Sequence, residues 1–371
     1  VNNKNKLVFI FGTRPEAIKM APIILEARKD KKLEVKVIST GQHKEMVYQV
    51  LKSFGINVDL DLDIMKSNQT LFDISERCLH RLKPILEQEK PDYVFVQGDT
   101  TTAFITALTC FYLKIKVVHV EAGLRTDNKY NPFPEEINRR LITQIADVNF
   151  VPTKEALNNL LNSEVTTNTI YLVGNTVIDA LFYILKKYKK DLGFPKNKRI
   201  ILVTTHRRES LGKPMKQTCF ALKEIASRFK EDLIVLPMHK NPKVRNMLLK
   251  ELSEIKNIKL VEPYNYIDFV NLMNQSYLII TDSGGVQEEA PSLGKPVLVI
   301  RETTERPEGI EAGTCKLVGT DIFKIVDMTT LLLTNKEEYD KISNKNNPYG
   351  DGKAAKRIIK IIKEVKDDKK N

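Results

Sequence analysis

The chain has 371 residues, 42% of them hydrophobic, with 59 lysines and arginines against 47 acids and a formal net charge of +12. That length buries a sizeable core and reads as two domains rather than one. The apolar runs all fall short of the roughly 20 residues that span a bilayer, and the scattered lysines form no stripe with aromatics, so the excess charge reads as solvated surface and not as a nucleic-acid face.

In chain order, the opening "VNNKNKLVFI" lacks the layout of a signal peptide. It leads into the strand-like "KLVFIFG" and a helical "PEAIKMAPIILEARK". "EVKVIST", "YVFVQ" with its helix "TTAFITALTCFYLK", "KVVHV", "DVNFV" with "KEALNNLL", and "TIYLVG" continue the alternation. After the helix-like "NTVIDALFYILKKYKK", the segment "DLGFPKNKR" reads as a linker. Strands then restart with "IILVTT", "LIVLPM", "IKLVE", "LIITD", "PVLVI" and "CKLVG". Short apolar runs alternating with helical periods predict βαβ units, hence an α/β fold of two doubly wound domains joined near residues 180–198. The last helix, "AAKRIIKIIKEV", sets Ala355, Ile358, Ile362 and Val365 on one face. That face must pack on its own domain or back across the linker. Cys78, Cys110, Cys219 and Cys315 stand far apart with no CxxC pair, as in reduced, buried cysteines of a cytosolic protein, and no metal-ligand spacing occurs.

Ligands of open parallel sheets bind outside the carboxyl ends of the strands. The unusual polar clusters begin where strand runs stop: "GTRPE" (12–16), "GQH" (41–43), "QGDTTT" (97–102), "EAGLRT" (121–126), "HRRES" (206–210), "HKNP" (239–242), "DSGGVQEE" (282–289) and "RETTERPEG" (301–309). The "GTRPE" turn, with Pro15 near the first helical position, offers free amides and Arg14 to an anion; an ordinary strand-to-helix turn is the equal alternative. Lys19, one turn on, reads from its position alone as solvated. The Ser283-Gly284-Gly285 turn lets a phosphate approach backbone amides, and the Glu288–Glu289 pair suits ribose hydroxyls. No GxGxxG or GK[ST] motif appears, which disfavours NAD and excludes a Walker loop. Asp99 is equally a helix cap. His206 and His239 each follow a strand, whereas His119 lies within one and reads as a packed core residue. In "HVEAGLRTDNKYNPFPEEINRR", Arg139 stands four residues after Glu135 and shares its helix face. Glu136 reads as an ordinary surface or capping acid. These groups point to acid–base work on an anionic, nucleotide-linked ligand.

Together "GTRPEAIKMAP", "STGQH", "VQGDTTT", "HVEAGLRT", "PFPEEINRR", "VGNTVIDAL", "HRRES", "TDSGGVQEEAPSLGKPVL" and "RETTERPEG" resemble the UDP-N-acetylglucosamine 2-epimerases of the non-hydrolysing type, in family order from residue 7 to about 360. The resemblance implies a glycosyltransferase-B fold of two Rossmann-like domains, residues 1–182 joined by the final helix 355–371, and residues 183–354, with the active site in the cleft between them. It implies interconversion of UDP-GlcNAc and UDP-ManNAc without a cofactor or metal, by elimination of UDP to 2-acetamidoglucal and re-addition, supplying ManNAc-type sugars for cell-surface glycans. Asp99, Glu121 and Glu135 become the acid–base set, with His206 assisting. Arg14, Lys19, Arg139 and Arg306 become the cations, Ser283, Gly284 and Gly285 the phosphate turn, and Glu289 the ribose ligand. Phe269 would flank the uracil, and His239 joins the substrate-binding set. A second, regulatory site would take in Gln42, His43 and Gln69, although Asn68 stands where the family offers a basic residue. A cytoplasmic homodimer is the implied state. A hydrolysing relative releasing ManNAc and UDP, an epimerase of a modified diacetamido sugar nucleotide, and a glycosyltransferase of the same fold remain open as alternatives.

Overall fold

The computed structural model of the chain describes residues 4–42, 44–66, 68–163, 165–205 and 212–367. The chain divides into two compact units, Val1–Tyr183 with Gly350–Asn371, and Ile184–Tyr349. The first unit holds strands β1 (Asn5–Phe11), β2 (Leu33–Ser39), β3 (Leu60–Asp61), β4 (Tyr93–Gln97), β5 (Lys116–Val120), β6 (Val148–Val151) and β7 (Ile170–Leu172). They form one seven-stranded sheet in the order β3-β2-β1-β4-β5-β6-β7, and every adjacent pair is parallel. The second unit holds β8 (Ile200–Thr204), β9 (Leu233–Pro237), β10 (Ile258–Val261), β11 (Leu278–Thr281), β12 (Val297–Val299) and β13 (Cys315–Leu317). These form a six-stranded parallel sheet in the order β10-β9-β8-β11-β12-β13.

Burial explains why the strands read as nearly unbroken apolar runs. Leu7, Val8, Phe9, Ile10 and Phe11 of β1 are all buried, because helices cover both faces of a parallel sheet and leave no solvent side for alternation. Val8, Ile10, Val94 and Val96 face one helical layer with Ile74, Leu82, Ala103 and Ile142. Phe9 and Phe95 face the other way and stack with ring centroids 4.4 Å apart. The second core gathers Ile201, Val203, Leu222, Ile234, Leu236 and Ile280 in the same manner. In the second unit the sequence reading named the strands but few of the helices; in the first it passed over the short β3, the helix Lys44–Phe54 and the helix Leu71–Glu89, whose apolar positions are interrupted by Pro84 and many charges. Its N-terminus is legible in retrospect, since Thr70 accepts from the Asp73 amide and Asp73 returns a bond to the Thr70 amide at 2.7 Å.

The final helix, Ala354–Asp367, belongs to the first unit and packs on helix Arg14–Ala27. Ala355, Ile358, Ile359 and Ile362 are buried there and Val365 is half-buried, so the apolar face finds its partner by returning past the linker. Asp179 fixes the start of that helix, accepting from the amides of Ala354 at 3.2 Å and Ala355 at 2.9 Å.

Both strand orders reverse direction once, between β1 and β4 in the first unit and between β8 and β11 in the second. Such switch points open a crevice at the carboxyl ends, where ligands of doubly wound sheets bind. The clusters singled out above follow these strands: Gly12–Glu16 follows β1, Gly98–Thr100 follows β4, and Asp282–Gly285 follows β11. No helix among the described residues is long and apolar enough to cross a membrane.

Candidate active site

At the first switch point, the chain leaves β1 through Gly12 and enters helix Arg14–Ala27. An added Cβ on Gly12 would stand 2.1 Å from Thr40 Oγ1, so only glycine allows the two loops to pass this closely. Glu16 completes the turn. Its carboxylate accepts from the amides of Gly12 at 3.1 Å and Thr13 at 2.7 Å, and from the Thr100 hydroxyl at 2.8 Å. Burial pushes the Glu16 carboxyl above its ordinary range, against the pull of these donors. The turn after β1 is thereby tied to the loop after β4. The pattern Thr-x-x-Glu is a capping-box signature that the sequence already carried.

Asp99 and Glu121 follow β4 and β5, two residues past Gln97 and one past Val120. Each carboxylate meets a cation. Asp99 Oδ2 takes a bond from Arg139 Nη2 at 2.6 Å, and its backbone carbonyl takes one from Asn138 Nδ2 at 3.0 Å. Glu121 Oε1 pairs with Lys19 Nζ, so Lys19 is not the solvated lysine its position alone predicted. Gln97 Nε2 donates to Glu121 Oε2, and Asn175 Nδ2 donates to Oε1 at 3.0 Å. Glu121 itself sits at φ +64°, a left-handed backbone that turns its side chain off the strand line. Gly98, at φ +69°, leaves open the space where a Cβ would lie 3.9 Å from Glu121 Oε2.

Glu135 opens helix Glu135–Ile145 and is half-buried. Its neighbour Glu136 corrects the sequence expectation: it is no surface acid but is completely buried. Glu136 Oε2 accepts from the Thr126 amide and hydroxyl, each at 3.1 Å, and lies 3.4 Å from Arg139 Nη1; Oε1 accepts from Arg140 Nε at 2.7 Å. The helical acid that grips Arg139 is thus Glu136 at i+3. Arg139 lies clamped between Asp99 and Glu136, with only 9% of its side chain exposed. Arg125 is half-buried and donates to the Leu124 carbonyl at 2.8 Å. Burial, with Arg140 and Arg139 nearby, lowers the Arg125 guanidinium to about 10.

His119 is the packed core histidine the sequence predicted, fully buried in β5. Its Nε2 lies 2.8 Å from the Gly98 carbonyl and so carries the proton, holding the loop that bears Asp99. Burial drives the His119 pKa down to about 4, from an ordinary 6.5. Between these two values the unfolded chain binds a proton that the folded chain refuses, so stability rises with pH there. The contribution is complete above pH 6.5 and is lost as pH falls towards 4, at most about 3 kcal/mol on the linkage scale. Urea midpoints measured between pH 7 and 4.5 should fall, and His119→Asn should flatten that dependence.

Arg14 is exposed at the first position of its helix. Gln42 is half-buried and accepts from the Thr102 hydroxyl at 3.0 Å. Gln69 instead accepts from Arg77 at 2.6 Å and from the Lys66 amide at 3.1 Å. His43 and His206 lie outside the described residues.

The second unit presents its own edge. Ser283 precedes the short helix Gly284–Glu289, and its hydroxyl makes no capping bond, which leaves the first amides of that turn to other acceptors. Glu289 is held by Tyr266, whose hydroxyl donates to Oε1 at 2.9 Å, and burial beside this carboxylate raises the tyrosine far above its usual range. Phe269 lies three residues on in helix Tyr266–Gln275, half-buried. Arg306 pairs with buried Glu288, and Thr304 bridges the Arg306 amide, at 3.1 Å, to Gln287, at 2.7 Å. His239 is exposed after β9 and accepts from the Asn241 amide at 3.2 Å. Among the described residues no cluster of His, Cys, Asp or Glu could hold a metal ion, and all four cysteines are buried and free.

Sequence reasoning missed Gln97, Asn175, Glu136 and Tyr266. Gln97, Asn175 and Glu136 lie inside the quoted motifs "VQGDTTT", "VGNTVIDAL" and "PFPEEINRR", but the partner of each is set by an element distant in sequence or by a helix face.

Residues 25–363 match the family model for UDP-N-acetylglucosamine 2-epimerase. The UDP-N-acetylglucosamine 2-epimerase of Escherichia coli strain K12 is 50% identical over 369 residues, covering 96% of this chain and 98% of that protein. The crystal structure of the Neisseria meningitidis UDP-GlcNAc 2-epimerase bound to UDP-GlcNAc superposes with a TM-score of 0.90 at 47% identity, covering 97% of this chain and all of that one. A glycotransferase of kitacinnamycin, at 12% identity and a TM-score of 0.70, shares the fold alone.

Proposed function

The chain belongs to the UDP-N-acetylglucosamine 2-epimerase family, and from that premise we propose that it interconverts UDP-GlcNAc and UDP-ManNAc without releasing free sugar. The observation that carries this reading is the pair of carboxylates at one sheet edge, Asp99 and Glu121, each ion-paired to its own cation. Inverting C2 means removing a proton that no neighbouring carbonyl acidifies. Expelling UDP from C1 as the C2 proton leaves gives a 2-acetamidoglucal; adding UDP back with the proton on the opposite face completes the inversion. This route calls for a base and an acid that exchange roles, together with positive charge for the departing diphosphate.

Asp99, Glu121 and Glu135 are the acid–base candidates. Lys19 and Arg139 hold the Glu121 and Asp99 carboxylates in place through the ion pairs described above. Exposed Arg14 is free to meet the diphosphate. In the second unit, the Ser283-Gly284-Gly285 turn would accept phosphate, Glu289 the ribose hydroxyls and Phe269 the uracil, with Tyr266 fixing Glu289. We also infer a homodimer: Phe111 and Tyr112 at the end of helix Thr101–Tyr112, and Ile137 and Leu141 on its neighbour Glu135–Ile145, are exposed apolar side chains of the kind that mark protein contacts.

Incubation with UDP-GlcNAc in D2O is the test. UDP-ManNAc should accumulate with deuterium at C2, read by NMR. Free ManNAc appearing in step with UDP would replace this reading with hydrolysis, and intact protein giving no exchange at all would end it.

A further inference from the structure

Glu121 follows β5 in a left-handed conformation that does not by itself aim a carboxylate. Its direction is set by donors from three other elements. Lys19 comes from helix Arg14–Ala27 and is the charged group facing it; Gln97 comes from the end of β4, and Asn175 precedes helix Thr176–Lys187. The other titratable groups nearby on its own segment are engaged with backbone, His119 with Gly98 and Arg125 with Leu124.

Asn175 is 3% exposed, and the two ends of its amide do different work. Oδ1 accepts from the Val177 amide at 3.0 Å and caps the helix, while Nδ2 donates to Glu121 Oε1 at 3.0 Å. The backbone of Gly350 passes beside the Asn175 main chain, where an added Cβ would lie 3.4 Å from its backbone nitrogen. Buried, and tied through Oδ1 to the Val177 amide, the side chain is held in place independently of Glu121. It is a fixed donor.

We propose that Asn175 is a positioning residue for the reaction, its Nδ2 holding the Glu121 carboxylate in one orientation while its Oδ1 caps the helix that leaves the site. The inference rests on the acid–base reading of Glu121. The chemistry is the general one in which a hydrogen bond to the charged form of a carboxyl favours that form.

Asn175→Asp separates the two ends. Asp caps a helix as well as Asn does, so the bond to Val177 survives, but the donor facing Glu121 becomes an acceptor. Two carboxylates at this distance retain a shared proton. The acidic limb of kcat should therefore move up by about 1–3 pH units, and at a pH on the falling part of both limbs kcat should drop by the corresponding factor of about 10–10³. KM for UDP-GlcNAc and the circular dichroism spectrum should change little. Asn175→Ser, which keeps a cap and adds no charge, should move the limb in the same direction by less.

An unchanged limb and kcat in folded Asn175→Asp would overturn the proposal. Should that variant fail to fold, an unchanged limb in Asn175→Ser would do the same. The companion variant Glu121→Gln separates the two ideas. If it is inactive while Asn175→Asp behaves as wild type, only the positioning role falls; if it stays fully active, the acid–base reading of Glu121 falls as well.

Discussion

Glu121→Gln should lower kcat by about 10²–10⁴-fold, the range spanned by removal of a general acid or base. The substitution is nearly isosteric, and the carboxamide can still accept from Asn175 and Lys19, so the protein should stay folded and bind nucleotide sugar. What it cannot do is take a proton at C2 or return one. Asp99→Asn should behave alike, with a second cost: the carboxamide oxygen can still accept from Arg139 Nη2, but the guanidinium, 9% exposed at its side chain, loses the negative charge that faced it there. The measurement is kcat and KM for UDP-GlcNAc, with thermal melting as the folding control. A loss confined to KM would place these carboxylates in binding rather than in chemistry. Near-normal kcat in both variants would remove the assignment.

The second large effect is on stability. Glu136→Ala should cost about 3–5 kcal/mol, the usual penalty for removing one member of a buried ion pair. Three groups lose an acceptor at once: Arg139, Arg140 and the Thr126 backbone with its hydroxyl, although Asp99 stays with Arg139 and Asp127 with Arg140. Two of these lie on one helix and the third on the loop after β5, so the loss would also uncouple that loop from the helix. For a unit of this size, about 2–4 °C of melting temperature accompanies each kcal/mol. A drop of roughly 6–20 °C in the melting of the first unit is therefore expected. A change of only a degree or two would mean that water reaches the arginines and that the cluster is not dry. Activity should also fall, because Arg139 would keep Asp99 as its one carboxylate partner and could swing with it.

The carboxyl-edge clusters were legible because a parallel strand buried on both faces must be apolar along its length, so polar chemistry can begin only where it stops. Lys19 shows the limit of that argument. One turn into a helix it looks like any exposed lysine, yet the position of β5 brings Glu121 to it. Glu136 was misjudged for a related reason. Adjacent acids on a helix differ by about 100° in direction, and which of the two points inward depends on where the loop carrying Thr126 returns. Tyr266 and Glu289 stand 23 residues apart with no motif joining them.

By itself the sequence determined the α/β class, the strand-ending motifs, the apolar face of the last helix and the candidate carboxylates, because these depend on local periodicity and residue chemistry. Only the tertiary structure decided which cation meets which acid: Lys19 with Glu121, Arg139 between Asp99 and Glu136, and Arg306 with Glu288. Charge pairing falls off over a few ångströms, and those ångströms are set by strand order and helix packing across gaps of up to a hundred residues. The role left to Asn175 has the same origin, since its amide reaches Glu121 across 54 positions of chain.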